Sequence, residues 1–265
     1  MANAKDIILK PITSKEANAL VKKLHYSGKV VQNSNIHIGV FLHGKLEGAM
    51  QFGSSLDKRK IMGLVKGTGW NEFIELNRMA FSEALPRNSE SRALGIAMKL
   101  LKKFAPHIKW VISFADATQC GDGTIYRASG FVLTGIKKNT QIWEAPEGSR
   151  FSRTSLTDGR SKTVQGEAKQ ILSRVTVTKS KHMENGAASM KQYKDAGFVP
   201  LPGFQLRYIY FIDTTYRDRL TVKEIPYDKI KELGASMYRG KPCVVEQNSK
   251  EYPSMLGGAS PTTTL

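Results

Sequence analysis

Apolar and polar residues alternate with a period of two along Asp6–Ile12, Ile36–Leu42, Leu46–Gly53 and Phe73–Phe81, the pattern of strands with one face on a core. The second and third are joined through His43-Gly44-Lys45 and read as a hairpin. Between the first two, Thr13 or Ser14 caps a helix that runs to Leu24, with Ala17, Leu20, Val21 and Leu24 on its apolar face. The strand ending at Phe81 gives way to the polar loop 82–91, where Pro86 and Asn88 stop any ladder. A helix follows, with Asn88 or Ser89 as N-cap and an apolar stripe of Leu94, Ala97, Met98, Leu101, Phe104 and Ala105. Lys99, Lys102 and Lys103 lie towards its C-terminus and Pro106 ends it. Trp110–Ala115 is an almost unbroken apolar run of strand length, expected to be buried on both faces, and it stops on Asp116. A Gly-rich turn, a short helix Thr124–Ser129 and a strand Phe131–Thr140 come next, and Ile142-Trp143 is expected to close the core.

The remainder changes character. Residues 150–194 hold ten Lys or Arg against three acidic residues and are rich in Ser, Thr and Gly, with one weak strand, Val175–Thr178, and a short helix expected over Ala187–Ala196. Phe204–Ile212 reads as a strong late strand and Tyr227–Gly234 as a brief helix. Residues 246–265 look like a disordered tail. The organisation expected is a catalytic core over 1–145, a basic insertion over 146–200, a closing strand and helix of the same domain over 201–245, and the tail.

Composition adds one strong constraint. Forty Lys and Arg against 23 Asp and Glu give a net charge of +17, and the natural partner of such a surface is a polyanion, with double-stranded DNA first. The basic insertion is read either as a solvated loop or as a DNA-gripping element, with Arg150, Arg153, Arg160 and Lys162 as its candidate contacts. No apolar stretch reaches membrane-spanning length and the N-terminus lacks a signal-peptide core, so a cytoplasmic protein without a membrane partner is expected. Cys120 and Cys243 make neither a disulfide framework nor a zinc site.

Chemistry-capable side chains concentrate between Glu75 and Phe131. Asp116, at the carboxyl end of a buried strand, can accept a proton or orient an amine, or simply cap backbone amides. Arg78 is suited to a phosphate or to a carboxylate such as Asp116. Ser91 is either a ligand contact or a helix cap, and Tyr126 either an acid or a packed aromatic. His25 and Tyr26, at the end of the first helix, can present an imidazole and a phenol to a cleft or a metal, or serve as a helix-end cation and a packed ring. His37 and His43 flank the hairpin with no further ligand nearby in sequence and are expected at the surface.

Two resemblances extend this reading. Arg92-Ala-Leu-Gly95-Ile-Ala97 fits the R-x-x-G-x-[GA] loop-to-helix pattern of acyl-CoA-dependent N-acetyltransferases, although an amphipathic helix with a tolerated glycine has the same spelling. More specifically, Leu-Asn-Arg78-Met, Pro86-Arg-Asn88-Ser-Glu-Ser91-Arg, Phe-Ala-Asp116 and Gly123-Thr-Ile-Tyr126-Arg-Ala-Ser-Gly-Phe, with His25-Tyr26 upstream, resemble the phage-encoded Mom family of DNA-modification proteins over roughly residues 10–140.

The resemblance implies an α/β (α+β) fold: a GNAT acyltransferase-like mixed central sheet flanked by helices, here with a basic C-terminal elaboration. It implies an enzyme that converts adenine in phage DNA to its N6-carbamoylmethyl derivative, which protects the DNA from host restriction. His25, Tyr26, Arg78, Ser91, Asp116 and Tyr126 match positions on which the family depends. The cofactor it implies is acetyl-CoA held by Arg92, Gly95 and Ala97, or another acyl or aminoacyl donor, since acetyl supplies no nitrogen; iron on His25 and Tyr26 is also implied. Two other readings stay open: a GNAT N-acetyltransferase acting on a protein or small-molecule amine, and a basic DNA-binding protein with an inert core.

Overall fold

The computed structural model describes residues 3–118, 120–157, 189–238 and 241–242. Seven strands form the main sheet: β1 (Ile8–Pro11), β2 (Ser34–Leu42), β3 (Lys45–Gly53), β4 (Phe73–Phe81), β5 (Trp110–Asp116), β6 (Val132–Lys138) and β10 (Phe204–Phe211). Their order is β1-β2-β3-β4-β5-β10-β6. Helix α1 (Ser14–Leu24) is capped by Thr13, whose side chain accepts from the Glu16 amide while Glu16 reaches back to the Thr13 amide. The hairpin turn between β2 and β3 needs only His43 and Gly44, both at positive φ (48° and 81°), as a two-residue turn demands.

Helix α3 (Ser89–Phe104) follows the short α2 (Lys58–Met62) and lays Ala93, Leu94, Ala97, Met98 and Leu101 into the core. Phe104, expected in that stripe, is 72% exposed, because the helix reaches past the sheet at its last turn.

One feature of the sheet positions the site. β4 and β5 are the parallel pair, and they bond only through Phe73–Trp110, Ile74–Val111 and Glu75–Ile112. A stack of Phe73 on Trp110, with ring centroids 4.6 Å apart, pins this closed end. Beyond Glu75, β4 stays with β3 and β5 stays with β10, which pairs along all of β5 from Trp110 to Asp116. The sheet therefore opens into a V. A register shift between β3 and β4 leaves Asn77 as an extra residue between Leu76 and Arg78 in the open arm, a bulge that re-aims the side chains there. Trp110–Asp116 is buried as expected except for Phe114, 41% exposed within the opening.

The late strand β10 is internal, between β5 and β6, so the chain from Asn139 to Gly203 is an excursion between neighbouring strands. Both ends of the excursion hang on Asn139: its side-chain amide donates to Ile142 O and Leu201 O, and its oxygen accepts from the amides of Gln141 and Ile142. The described part is folded, which corrects the solvated-loop reading for that part. β7 (Ile142–Glu144) pairs with β8 (Arg150–Ser152) and with β9 (Val199–Pro200), beside α5 (Arg153–Thr157) and α6 (Met190–Asp195). Trp143, Phe151, Leu156, Tyr193 and Phe198 form a second apolar cluster there, so Trp143 does not close the main core. The expected strand at Val175–Thr178 and the tail beyond 245 lie outside the described residues, as do Arg160 and Lys162. Among the described residues no helix is long and apolar enough to cross a membrane.

Candidate active site

The V holds a cavity of about 970 Å³, within the range of small-molecule sites. His25, Tyr26, Arg78, Asp116 and Tyr126 all line it, drawn from the end of α1, from β4, from β5 and from α4 (Thr124–Ala128). Five of the six residues matched through the family resemblance thus meet in one place. Ser91 does not: it lies in the first turn of α3, donates to Asn88 O at 3.2 Å and faces a separate, shallower cavity of about 470 Å³.

Asp116 is 8% exposed, and its Oδ1 accepts from the Thr118 amide (3.0 Å), the Thr118 hydroxyl and Gln205 Nε2 (2.7 Å). That oxygen holds the turn leaving β5 and ties it to β10, which is the turn-capping alternative realised in full. Arg78 does not pair with Asp116. Its Nε donates to Lys29 O at 3.1 Å and its Nη1 to Asn77 O at 2.7 Å, so backbone carbonyls fix the guanidinium; among the described residues it has no carboxylate within ion-pair distance. Burial lowers its pKa, and an anion or a carbonyl oxygen in the cavity would relieve that cost.

Tyr126 is buried against Phe131 and Tyr208, and its oxygen accepts from Ser113 Oγ at 2.9 Å. Burial pushes its pKa up to about 12, so the phenol keeps its proton. Gly123 makes this packing possible: it has φ 87°, and a Cβ there would stand 2.5 Å from the Tyr208 ring and 3.0 Å from that of Tyr126. Tyr26 is half exposed, its ring tilted by 31° against that of His25 with centroids 4.2 Å apart. Burial and then the Asp116 charge raise its pKa, so it too stays protonated.

His25 Nδ1 accepts from the Ser27 amide at 3.2 Å and lies 2.8 Å from Ser27 Oγ, which assigns the remaining ring proton to Nε2. Burial and then the Arg78 cation pull its pKa down to about 4, so the ring is neutral near pH 7. These residues do not fit an iron centre. Nδ1 is committed to Ser27, a guanidinium stands nearby, and no group of three or more His, Cys, Asp or Glu able to hold a metal occurs among the described residues.

The residues of the acyl-CoA pattern are not in a loop. Arg92, Gly95 and Ala97 all lie inside α3, which begins at Ser89, and the Arg92 amide is already bonded to Asn88 O. Ala97 is sealed in the core, while Arg92 and Gly95 face the shallow cavity. Of α3, Glu90 lines the large cavity, joined by Glu83 from the preceding loop, and both have the wrong charge for a pyrophosphate. The residues present do not make a coenzyme A cradle there.

Sequence reasoning missed many lining residues, among them three that bear on the chemistry. Glu75 and Phe114 were hidden inside strand patterns, and Gln205 lies almost ninety positions from its partner Asp116. Arg150, by contrast, does reach the cavity rim, bonded to Glu144 at 3.2 Å. Arg153 is exposed on α5. His37 is half-buried, with Nδ1 3.3 Å from Gln51 Nε2, and His43 occupies the hairpin turn.

A mixed sheet in this order, split between its one parallel pair with a cavity in the split, defines an α/β protein of the GNAT-like class. The chain belongs to the Mom protein family, whose model matches residues 6–229. It is 37% identical over 138 residues to the methylcarbamoylase mom of Escherichia phage Mu, a stretch that is 52% of this chain and 57% of that protein. The chain thus spans somewhat more than half the relative's length. Among solved structures it is similar to an N-acetyltransferase from Staphylococcus aureus (TM-score 0.41, 10% identity, 78% of this chain and 98% of that one). It is also similar to a spermidine/spermine N-acetyltransferase from Vibrio cholerae (TM-score 0.40, 7% identity, 81% and 98%).

Proposed function

We propose that the protein is a phage-type DNA-modification enzyme that transfers a carbamoylmethyl group to the exocyclic N6 amine of adenine in DNA. The observation that carries this reading is the meeting of His25, Tyr26, Arg78, Asp116 and Tyr126 in the opening between β4 and β5. The homology to the phage Mu methylcarbamoylase supplies the reaction class.

An adenine amine is inaccessible in a stacked duplex, so the base must leave the helix to react. The cavity has room for a flipped base, and two exposed aromatic rings, Tyr26 and Phe114, line it as stacking walls. Arg78, fixed by two carbonyls, is the group to polarise the carbonyl oxygen of an incoming carbamoylmethyl donor. Tyr126, held protonated, is the group to give a proton to whatever leaves. The net charge of +17 supplies affinity for the phosphate backbone, with Arg150 among the residues that line the cavity.

The test is chemical. Plasmid DNA from cells expressing the protein is digested to nucleosides and compared by mass spectrometry with DNA from cells without it. A deoxyadenosine heavier by one carbamoylmethyl group is the result expected. Unmodified deoxyadenosine throughout refutes the proposal.

A further inference from the structure

We propose that Glu75 is the group that takes the proton from the adenine amine as the new bond forms; this rests on the DNA-modification reading above. Glu75 is the last β4 residue paired with β5, opposite Ile112, so it stands where the two strands part, and it lines the cavity. Arg78 on β4, Asn77 beside it, Ser55 beyond the end of β3 and Tyr126 on α4 are the charged and polar groups within its electrostatic reach.

Several other acceptors at the site already hold hydrogen bonds or their own protons. Asp116 Oδ1 receives three hydrogen bonds from Thr118 and Gln205 that shape the turn after β5. His25 Nδ1 receives the Ser27 amide. Tyr26 and Tyr126 keep their own protons near pH 7. Glu83 is exposed and Glu90 is in the first turn of α3, so neither lies on the strands that part at Glu75.

Burial raises the pKa of Glu75, outweighing Ser55, Asn77 and Arg78, which pull it down. A carboxylate so placed is a stronger base than an exposed one while remaining ionised on the alkaline side of its pKa. In the step, the N6 lone pair forms the bond to the methylene carbon of a carbamoylmethyl donor, an acetamide that carries a leaving group on that carbon. The bond from that carbon to its leaving group breaks and its electron pair departs with the leaving group. The N–H bonding pair stays on nitrogen, and the proton becomes the Glu75 carboxyl proton, later lost to water.

Glu75→Gln removes the base and keeps the volume. In digests of DNA modified in cells, it should lower the modified deoxyadenosine by a factor of about 10² or more, the usual worth of a positioned general base. Glu75→Asp, which keeps a shorter carboxylate, should fall between the two. In buffered extracts, wild-type activity should decline as pH falls through a value above the ordinary glutamate range, because the working form is the carboxylate.

The stability sign is opposite. A group whose folded pKa is raised favours folding when protonated, and that contribution is lost as pH rises through the folded pKa. Glu75→Gln should therefore melt at or above the wild-type temperature at pH 7–8, with the difference vanishing in acid. Activity of Glu75→Gln within threefold of wild type overturns the assignment, as does loss of activity accompanied by a lower melting temperature at pH 7, which marks a structural residue. Absence of modified deoxyadenosine with the wild-type protein instead refutes the underlying reading, and the role of Glu75 falls with it.

Discussion

Asp116 lines the cavity and also holds the turn after β5, and two substitutions separate a chemical role from the structural one. Asp116→Ala removes the acceptor of three hydrogen bonds at once: those from the Thr118 amide, the Thr118 hydroxyl and Gln205 Nε2. Bonds to a charged group contribute about 1.5–3 kcal/mol each, but the loss is less than additive because the Thr118 hydroxyl and the Gln205 amide can turn elsewhere. The Thr118 amide cannot turn, and Thr118 is 3% exposed, so that donor is left buried. A loss of about 3–5 kcal/mol is expected, within the range for breaking a buried network. In a chain of this size that corresponds to a fall of roughly 6–20 °C in Tm. Asp116→Asn keeps an oxygen at the same position and can retain all three donors, so it should cost about 1 kcal/mol, or a few degrees. Thermal or urea unfolding of the three proteins, read beside modified deoxyadenosine in DNA, makes the comparison. If Asn folds like the wild type yet fails to modify DNA, the carboxylate charge serves the reaction. Equal and small stability losses in both variants would refute the idea that Oδ1 organises the turn after β5.

Three further expectations follow from named residues. Tyr126→Phe deletes the acceptor of the Ser113 hydroxyl and should cost about 1 kcal/mol in unfolding experiments, while activity falls about 10²-fold if the phenol acts as an acid; an unchanged rate would confine Tyr126 to packing. Gly123→Ala forces a side chain onto a backbone at φ 87° with Tyr208 only 2.5 Å from the new Cβ; a destabilisation of about 1–3 kcal/mol is expected from the strained conformation, with activity abolished as Tyr126 is displaced, and a wild-type melting curve would contradict it. Reversing charge at Arg150, Arg153, Arg160 and Lys162 should weaken DNA binding alike for all sequences and lower the slope of log affinity against log salt by about 0.9 for each phosphate no longer neutralised; filter binding at several salt concentrations measures it, and an unchanged slope would move the DNA-binding face elsewhere.

Much of the fold is legible in the sequence because its elements carry strong local signals. Thr13 with Glu16 spells a capping box, Phe73–Phe81 alternates, and Trp110–Ala115 is apolar but for Ser113; each element lies where its pattern places it. Pairing is less legible. Nothing local in Phe204–Phe211 says that it inserts between β5 and β6, some seventy residues after β6 ends, because strand order is set by long-range contacts that periodicity does not encode. The insertion misleads for a different reason: its charge and small polar residues mask Trp143, Phe151, Tyr193 and Phe198, apolar residues too widely spaced to show a period yet brought into one cluster.

The site divides along the same line. Residues that motif order ties together, such as Arg78, Asp116 and Tyr126, meet because each sits at the open end of a core element whose position the pattern fixes. Glu75 escapes notice because it occupies the polar phase of an alternating strand, where a glutamate ordinarily means solvent. It faces the cavity only because β4 and β5 stop pairing at that residue, and the bulge at Asn77 two positions later is equally silent in sequence. The same splay exposes Phe114, which a run of apolar residues marks as core. Ser91 and Arg92 lie away from the large cavity. Their motif spacing suits a loop, but α3 starts at Ser89 and takes up the Arg92 amide, leaving both on a helix face turned to the shallow cavity. A role for Ser91 in the reaction would then have to be exerted through α3, whose first turn carries its carbonyl to the Ser129 hydroxyl at 3.3 Å and so joins it to the end of the Tyr126 helix.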